Sequence, residues 1–325
     1  MMKKFNSFAV LAAILTTGFT ACTETEEIAK VNQKTLDFSV FANKTTRAAE
    51  DATSLKTDGK AFGVWGYSDN GAATTVFNNQ EVTYSTANSA WEYSPTKYWD
   101  KEASYEFYAY YPYSASNVTI ADGKISIADF TVASAVSDHV DLMIADKVAR
   151  TAGSMTNVEF NFNHILSNIN LNFTRGSKIG STLLTLKSIK LYGMDNKASF
   201  SQTAETAPAG TWTLSTTNVI ENTNATELVS ADIELTTTSA SASFPNMLFI
   251  PQGTDDLKLD IVYALGANED QTFNRTIDLS ANPTSWAQNQ KITYKFTIDA
   301  DAIVFDDPTV TDWDPKTDIG VPTIE

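Results

Sequence analysis

The chain has 325 residues, of which 42% are hydrophobic and 19% are charged. That length suits two domains of ordinary size, and the apolar content excludes a chain that is disordered throughout. The 39 acidic side chains outnumber the 23 basic ones and give a net charge of -16 at pH 7, which argues against a role on nucleic acid or on an anionic membrane surface.

The first 21 residues have the layout of a secretion signal. Two lysines precede an apolar run from residue 8 to residue 19, and small residues then lead to Cys22, the one cysteine of the chain. The run is too short to span a membrane. Cys22 stands where a bacterial lipoprotein signal places the cysteine that becomes lipidated, so residues 1–21 are predicted to be a lipoprotein signal peptide. The alternative is an ordinary signal peptide followed by an unmodified cysteine.

Residues 22–47 contain one clear strand pattern followed by a segment that a protease could cleave. Leu36, Phe38 and Val40 alternate with polar residues, and this period of two predicts a half-buried β-strand. A small, polar and basic segment follows, in which Arg47 precedes Ala48. Exposed tips of this composition are where proteases cut. A cut after Arg47 would take the strand out of the fold.

The rest of the chain consists of short runs rich in β-branched and aromatic residues, separated by turn residues. The clearest are residues 62–67, 105–111, 118–120, 125–127, 158–162, 169–173, 184–192, 247–250, 257–263, 273–279 and 292–298. Many short strands with regular turn signals predict an all-β protein made of antiparallel sandwiches or barrels. A small polar stretch at 151–154 places the predicted boundary between an N-terminal domain, 48–153, and a C-terminal domain, 154–325.

A search for reactive groups gives no catalytic, metal-binding or cofactor-binding residues. The two histidines, His139 and His164, lack ligand spacing, and His164 is expected to be hydrogen-bonded at the end of a strand. The acidic residues after position 298 lack the spacing of calcium loops and are expected to lie on a solvated surface. A pair of carboxylates that meets only in space is invisible in sequence, so a glycoside hydrolase on a β-sandwich stays open.

Aromatic residues are densest in two neighbouring blocks, Trp91–Trp99 and Tyr105–Tyr113. They suit stacking against sugar rings, and they equally supply large buried area to a sheet core. The alternation of Tyr105 and Phe107 favours the core.

These segments, taken in order, resemble the fimbrillin family, the type V pilus subunits of Bacteroides-type bacteria. The resemblance is carried by Phe62-Gly63-Val64, Trp91 to Trp99, Phe107 to Pro112, Asp141-Leu142-Met143, Phe160 to Leu166, Leu248 to Gln252, Tyr294-Lys295-Phe296 and Val310 to Trp313. It implies two tandem transthyretin-like β-sandwiches after a lipoprotein signal and a removable pro-strand. It also implies cleavage after Arg47 by an arginine-specific protease, and replacement of the lost strand by a strand from another subunit.

The C-terminal tail is the candidate donor of that replacement strand. Ile319 and Val321 alternate, whereas Ile324 is out of phase and Pro322 cannot donate to a ladder. The tail therefore leaves open whether the chain is a stalk subunit or a tip or accessory subunit, and a frayed terminus is the alternative.

Together these features predict a non-enzymatic fimbrial subunit without cofactors, anchored in the outer membrane by lipid and assembled at the cell surface with other fimbrial subunits after cleavage. The predicted strand-exchange residues are Leu36, Phe38, Val40, Ile319, Val321 and Ile324. The alternative is a surface lipoprotein or tip adhesin that binds a glycan or host ligand through the aromatic blocks.

Overall fold

The computed structural model describes residues 34–42, 51, 53–57, 59–205, 209–215, 219–229, 231–267, 271–300 and 302–313. Strands dominate this part of the chain, together with 3-10 turns at Val136–Asp138, Ser177–Ile179 and Asn222–Asn224. The same residues contain no α-helix, and accordingly no helix there could span a bilayer. The all-β class predicted from the sequence is confirmed.

The strands are numbered in chain order. In the first half they are β1 (Phe38–Ala42), β2 (Ala61–Asp69), β3 (Ala73–Ser85), β4 (Ala90–Glu92), β5 (Ser104–Tyr111), β6 (Val118–Ala121), β7 (Lys124–Thr131), β8 (Met143–Ala145), β9 (Val148–Arg150) and β10 (Val158–His164). In the second half they are β11 (Ser167–Arg175), β12 (Leu184–Tyr192), β13 (Lys197–Gln202), β14 (Gly210–Leu214), β15 (Thr226–Glu227), β16 (Ile233–Leu235), β17 (Ser241–Phe249), β18 (Lys258–Leu265), β19 (Gln271–Asp278), β20 (Gln290–Ile298) and β21 (Ile303–Asp312).

These strands form four sheets. The first sheet has eight strands, in the order β1, β10, β8, β5, β2, β3, β4, with β9 paired to β5. The second has the order β17, β11, β20, β21, the third β15, β12, β18, β19 with β16 on β12, and the fourth β14, β13, β7, β6. In the described chain β1 runs parallel to β10 and β11 runs parallel to β20, whereas the other strand pairs are antiparallel.

Two of the sheets draw strands from both sides of the predicted boundary at residue 153. β10, which begins at Val158, pairs with β8 in the first sheet, and β13 pairs with β7 in the fourth. The order of strands therefore does not follow the predicted division strand by strand. The domains 48–153 and 154–325 stay a prediction.

Buried side chains form two hydrophobic cores. The first core is lined by the first sheet and contains Leu36, Phe38 and Val40. The larger core contains apolar side chains of the other three sheets and of the opposite face of the first. Val64 of β2 lies in the first core and its neighbour Trp65 lies in the second, because successive side chains of a strand point to opposite faces.

Candidate strand-exchange site

The strand β1 is an end strand of the first sheet. It pairs in parallel with β10, and Phe38 lies opposite Val158 while Val40 lies opposite Phe160. Just before the ladder, the Val158 N–H donates to the Asp37 carbonyl oxygen at 2.9 Å. Because the sheet order ends at β1, β10 is the one strand that pairs with it among the described residues.

The residues that precede β1 have a second neighbour, the segment after β4. The Leu36 N–H donates to the Lys97 carbonyl oxygen at 2.9 Å, and the Trp99 N–H donates to the Lys34 carbonyl oxygen at 3.0 Å. Residues 34–36 therefore bridge the two ends of the first sheet. We call the space that residues 34–42 occupy, between β10 and residues 97–99, the β1 groove.

The hydroxyl group of Tyr93 ties this bridge together. It donates to the Leu36 carbonyl oxygen at 2.6 Å and accepts from the Lys97 N–H at 3.3 Å. Burial raises the pKa of Tyr93 to about 12, so the hydroxyl stays protonated and able to donate at neutral pH. No local pattern indicates this contact, since the two partners lie 57 positions apart in the sequence.

The apolar face of β1 and its approach is fully inserted into the first core. Leu36, Phe38 and Val40 expose 0%, 5% and 3% of their surface, which confirms that the predicted alternation places all three side chains on the buried face. Asp37 is exposed and Ser39 is partly exposed, and the Ser39 hydroxyl accepts from the Asn157 amide at 2.8 Å. The strand is therefore held mainly by apolar contacts and backbone hydrogen bonds.

Phe38 is surrounded by aromatic rings. Its ring stacks on Phe160 with the centroids 5.7 Å apart. It meets four further rings edge-on, at 5.4–6.3 Å: Phe62, Phe77, Tyr93 and Phe107. We call the site formed by these five rings the Phe38 pocket.

Six predicted site residues lie outside the described part of the chain. They are Cys22, Arg47, Ala48, Ile319, Val321 and Ile324. Lipidation, cleavage, removal of the strand and the identity of the donor therefore stay predictions, whereas the position that residues 34–42 occupy in the fold is defined.

The tryptophans of the aromatic blocks contribute to the first core. Trp91 and Trp99 expose 8% and 3% of their surface. The Trp91 ring meets Phe62 at 4.8 Å, and the Trp99 ring meets Tyr105 at 4.8 Å. The core interpretation of these residues is confirmed, and neither indole presents an open face for stacking on a sugar ring.

Both histidines are hydrogen-bonded inside the fold. His164 ends β10, where its Nδ1 lies 3.0 Å from Asp141 Oδ1 and its ring stacks on Trp313 at 3.9 Å. His139 Nδ1 accepts from the Leu248 N–H at 2.9 Å. Among the residues of the described ranges, no three His, Cys, Asp or Glu side chains are grouped as a metal site would require.

Solved structures share this fold. A fimbrial protein from Bacteroides vulgatus is 18% identical with a TM-score of 0.61, and the match covers 86% of this chain and 99% of that one. A candidate cell adhesion protein from Bacteroides uniformis is 20% identical with a TM-score of 0.53, and the match covers 87% of this chain and 98% of that one. At these identities the likeness shows the fold alone.

Sequence relatives point the same way. A candidate fimbrium tip subunit of Bacteroides ovatus is 30% identical over 123 residues, which are 35% of this chain and 22% of that protein, so the matched part spans about a fifth of that relative. The model of the fimbrillin-like family matches residues 46–313. Because this match extends over most of the sequence, the chain belongs to the fimbrillin-like family.

Proposed function

We propose that the chain is a structural fimbrial subunit that loses β1 after cleavage at Arg47 and receives in its place a strand from another subunit. The observation that carries this proposal is the β1 groove. An end strand fills a closed apolar core, and the segment that follows it ends in an arginine that a protease can recognise. Export as a lipoprotein through Cys22 would hold the precursor at the outer membrane until it is cut, and the assembled fimbria would stand on the cell surface.

The energetics favour replacement over an empty groove. Burying three apolar side chains stabilises the fold by roughly 1.5–3 kcal/mol each, and each ladder hydrogen bond adds about 1 kcal/mol. Loss of β1 would expose this apolar surface beside the unpaired backbone of β10, which is a template for an added strand. The contact is head-to-tail, so repetition generates a fibre.

The positions of the other arginines support a single cut. The chain has four arginines. Arg150 ends β9, Arg175 ends β11 and Arg275 lies within β19. A protease binds its substrate as an unpaired extended segment, and the backbone of these three residues is paired in ladders. Arg47 is therefore the expected site of cleavage.

The C-terminal tail, with Ile319, Val321 and Ile324, is the donor that this chain offers to another subunit. The relative from Bacteroides ovatus that is named for the tip of a fimbrium supports a fimbrial role rather than a catalytic one. The buried state of Trp91 and Trp99 gives no support to a glycan site at the aromatic blocks.

The test is to incubate the purified chain with an arginine-specific protease. We expect one fragment that ends at Arg47, followed by species of high mass in size-exclusion chromatography. The Arg47→Ala chain is the matched control and should stay uncut and monomeric. Cleavage at Arg150, Arg175 or Arg275 instead, or a cleaved chain that neither assembles nor takes up an added strand peptide, would contradict the proposal.

A further inference from the structure

The Phe38 pocket is formed by side chains from several separate elements. Phe62 belongs to β2, Phe77 to β3, Phe107 to β5 and Phe160 to β10, and Tyr93 follows β4. The four phenylalanine rings are carried by separate paired strands, and because each of these strands is fixed by its own ladder, the rings cannot all move inward when the central ring is removed. The space that Phe38 occupies should therefore persist when β1 leaves.

A glycine shows how closely the far side of the pocket is packed. A Cβ atom added at Gly66 would lie 2.7 Å from the Phe77 ring and 3.0 Å from the Phe107 ring. These two rings therefore already lie against bare backbone. Displacing them in that direction would bring them into contact with the main chain of β2, so the pocket cannot adapt easily to a side chain of another shape.

Shape then decides which side chain fills the pocket well. Protein cores are close-packed, and replacing a large buried side chain by a smaller one costs the lost transfer energy and the energy of the remaining cavity. A branched aliphatic side chain in the Phe38 pocket would leave part of the space empty and lose the ring-to-ring contacts, which contribute beyond area alone.

We propose that the Phe38 pocket selects the incoming strand and accepts one that carries an aromatic ring at the position of Phe38. This inference rests on the proposed strand exchange. The tail of this chain has no aromatic residue between Asp318 and Glu325, and its apolar residues are Ile319, Val321 and Ile324. The preferred occupant of the β1 groove is therefore a strand of a different subunit, and the junction joins unlike subunits.

The test uses peptides on the full chain after cleavage at Arg47, so that every variant lies in the peptide and the protein keeps its native sequence. Fluorescent peptides are offered to the cut protein, and their equilibrium binding is measured by anisotropy. The reference peptide is residues 34–42. Its variants are Phe38→Tyr, Phe38→Ile and Phe38→Ala, and the tail peptide is residues 317–325. The Ser39→Ala peptide is the control, because it changes a residue on the polar face.

Isoleucine is the critical substitution, since it keeps β-propensity and apolar character and changes mainly the shape of the side chain. We expect the Ser39→Ala peptide to bind within about threefold of the reference. The Phe38→Tyr peptide keeps the ring but adds a hydroxyl among closely packed rings, so it should bind more weakly than the reference and more tightly than the Phe38→Ile peptide. The Phe38→Ile peptide should bind about tenfold more weakly and the Phe38→Ala peptide about a hundredfold more weakly. The tail peptide should bind no better than Phe38→Ile.

Two results would overturn the inference and differ in what they say of strand exchange. If the Phe38→Ile peptide or the tail peptide binds as tightly as the reference, the groove accepts strands without aromatic selection, and the proposed exchange stands. If the reference peptide itself never enters the cut protein, β1 is not replaceable, and the proposed function fails together with the inference.

Discussion

Two parallel strand pairs lie in the described part of the chain, β1 with β10 and β20 with β11, and their surroundings differ. Both β1 and β20 carry an alternating apolar pattern and bury it. β20, however, lies between β11 and β21 and pairs with both along its length. β1 is the end strand of its sheet, with the segment 97–99 beside only the residues that precede it.

The comparison shows that how deeply a strand is buried and how easily it can leave its sheet are separate properties. The apolar face of each strand is buried to the same degree, so the contribution of side-chain burial is similar. Removing β20 would break two ladders and divide the second sheet, whereas removing β1 breaks one ladder and leaves every other strand of the first sheet paired. An end strand can therefore be deeply buried and still leave its sheet without unpairing the other strands.

The largest expected effects come from removing one buried phenylalanine ring from β1 and one from β20. Phe38→Ala and Phe296→Ala should each lower the free energy of unfolding of the uncut chain by about 3–5 kcal/mol, since both rings are buried among other aromatics. After cleavage and separation of the fragment, only the Phe296→Ala chain should still have a lower free energy of unfolding than its parent, because Phe38 leaves with the fragment. Denaturant unfolding at low protein concentration measures both states. If the cut Phe38→Ala chain is still less stable than the cut parent chain, the fragment has not left.

A smaller effect is expected at the hydroxyl that holds residue 36. Tyr93→Phe removes the donor to the Leu36 carbonyl oxygen and the acceptor of the Lys97 N–H, which should cost about 1–2 kcal/mol and speed fragment release after cleavage. Fluorescence of a dye on the fragment reports the release rate. Tyr84→Phe is the control on a partly exposed ring. Equal release rates for the two variants would exclude Tyr93 as a tie on the strand.

β17 is an end strand of the second sheet, and a histidine side chain accepts one of its backbone hydrogen bonds in a pH-dependent way. His139 Nδ1 accepts from the Leu248 N–H, and its Nε2 lies 3.1 Å from the Ala133 carbonyl oxygen. Burial lowers the pKa of His139 below its ordinary value of 6.5, although the neighbouring Asp138 opposes the shift. The neutral ring is thus favoured in the fold, so its contribution is fully present above pH 6.5 and is lost as the pH falls through the lowered pKa.

Unfolding measured at pH 7.5 and at pH 5 tests this contribution. His139→Asn keeps an acceptor near the position of Nδ1 and removes the titration. The native chain should therefore lose more stability than the variant on acidification. The same loss in both proteins would assign the pH dependence to other groups.

The smallest expected effect is on the polar face of β1. Ser39→Ala removes the acceptor of an exposed hydrogen bond from Asn157, and exposed contacts of this kind contribute little. The free energy of unfolding should change by less than about 0.5 kcal/mol. A larger loss would show that the polar face also holds the strand.

Alternation along the chain was sufficient to predict most strands. The pattern predicted residues 184–192, which are the bounds of β12, and it placed β20 to within two residues. It did not predict the long strands β3 and β21, nor the shorter strands β4, β8, β9 and β13 to β16. β3 is rich in polar residues, and β21 is an end strand that contains Pro308 and exposes Asp306 and Asp307, so neither shows a clear apolar face. The acidic run around residue 306 is indeed exposed, whereas Asp299 is buried and accepts from the Lys178 N–H at 3.0 Å.

The candidate site was predictable only in part, because its contacts join distant segments. The alternation of Leu36, Phe38 and Val40 predicts that these residues are buried. It does not predict their partners, because Val158, the register partner of Phe38, lies 120 positions later in the chain. The parallel pairing and the five rings of the Phe38 pocket arise from the topology of the first sheet, which a local pattern cannot specify.

The most direct test of β1 as an exchangeable strand is amide hydrogen exchange on β10, measured by mass spectrometry. Residues 158–161 of β10, which lie outside its ladder with β8, should be protected in the uncut chain, exchange at least about a hundredfold faster once the fragment has left, and regain protection when the 34–42 peptide is added. Gln290–Ile298 of β20 should remain protected throughout. Unchanged protection of β10 after loss of the fragment, or equal loss of protection in β20, would contradict the account.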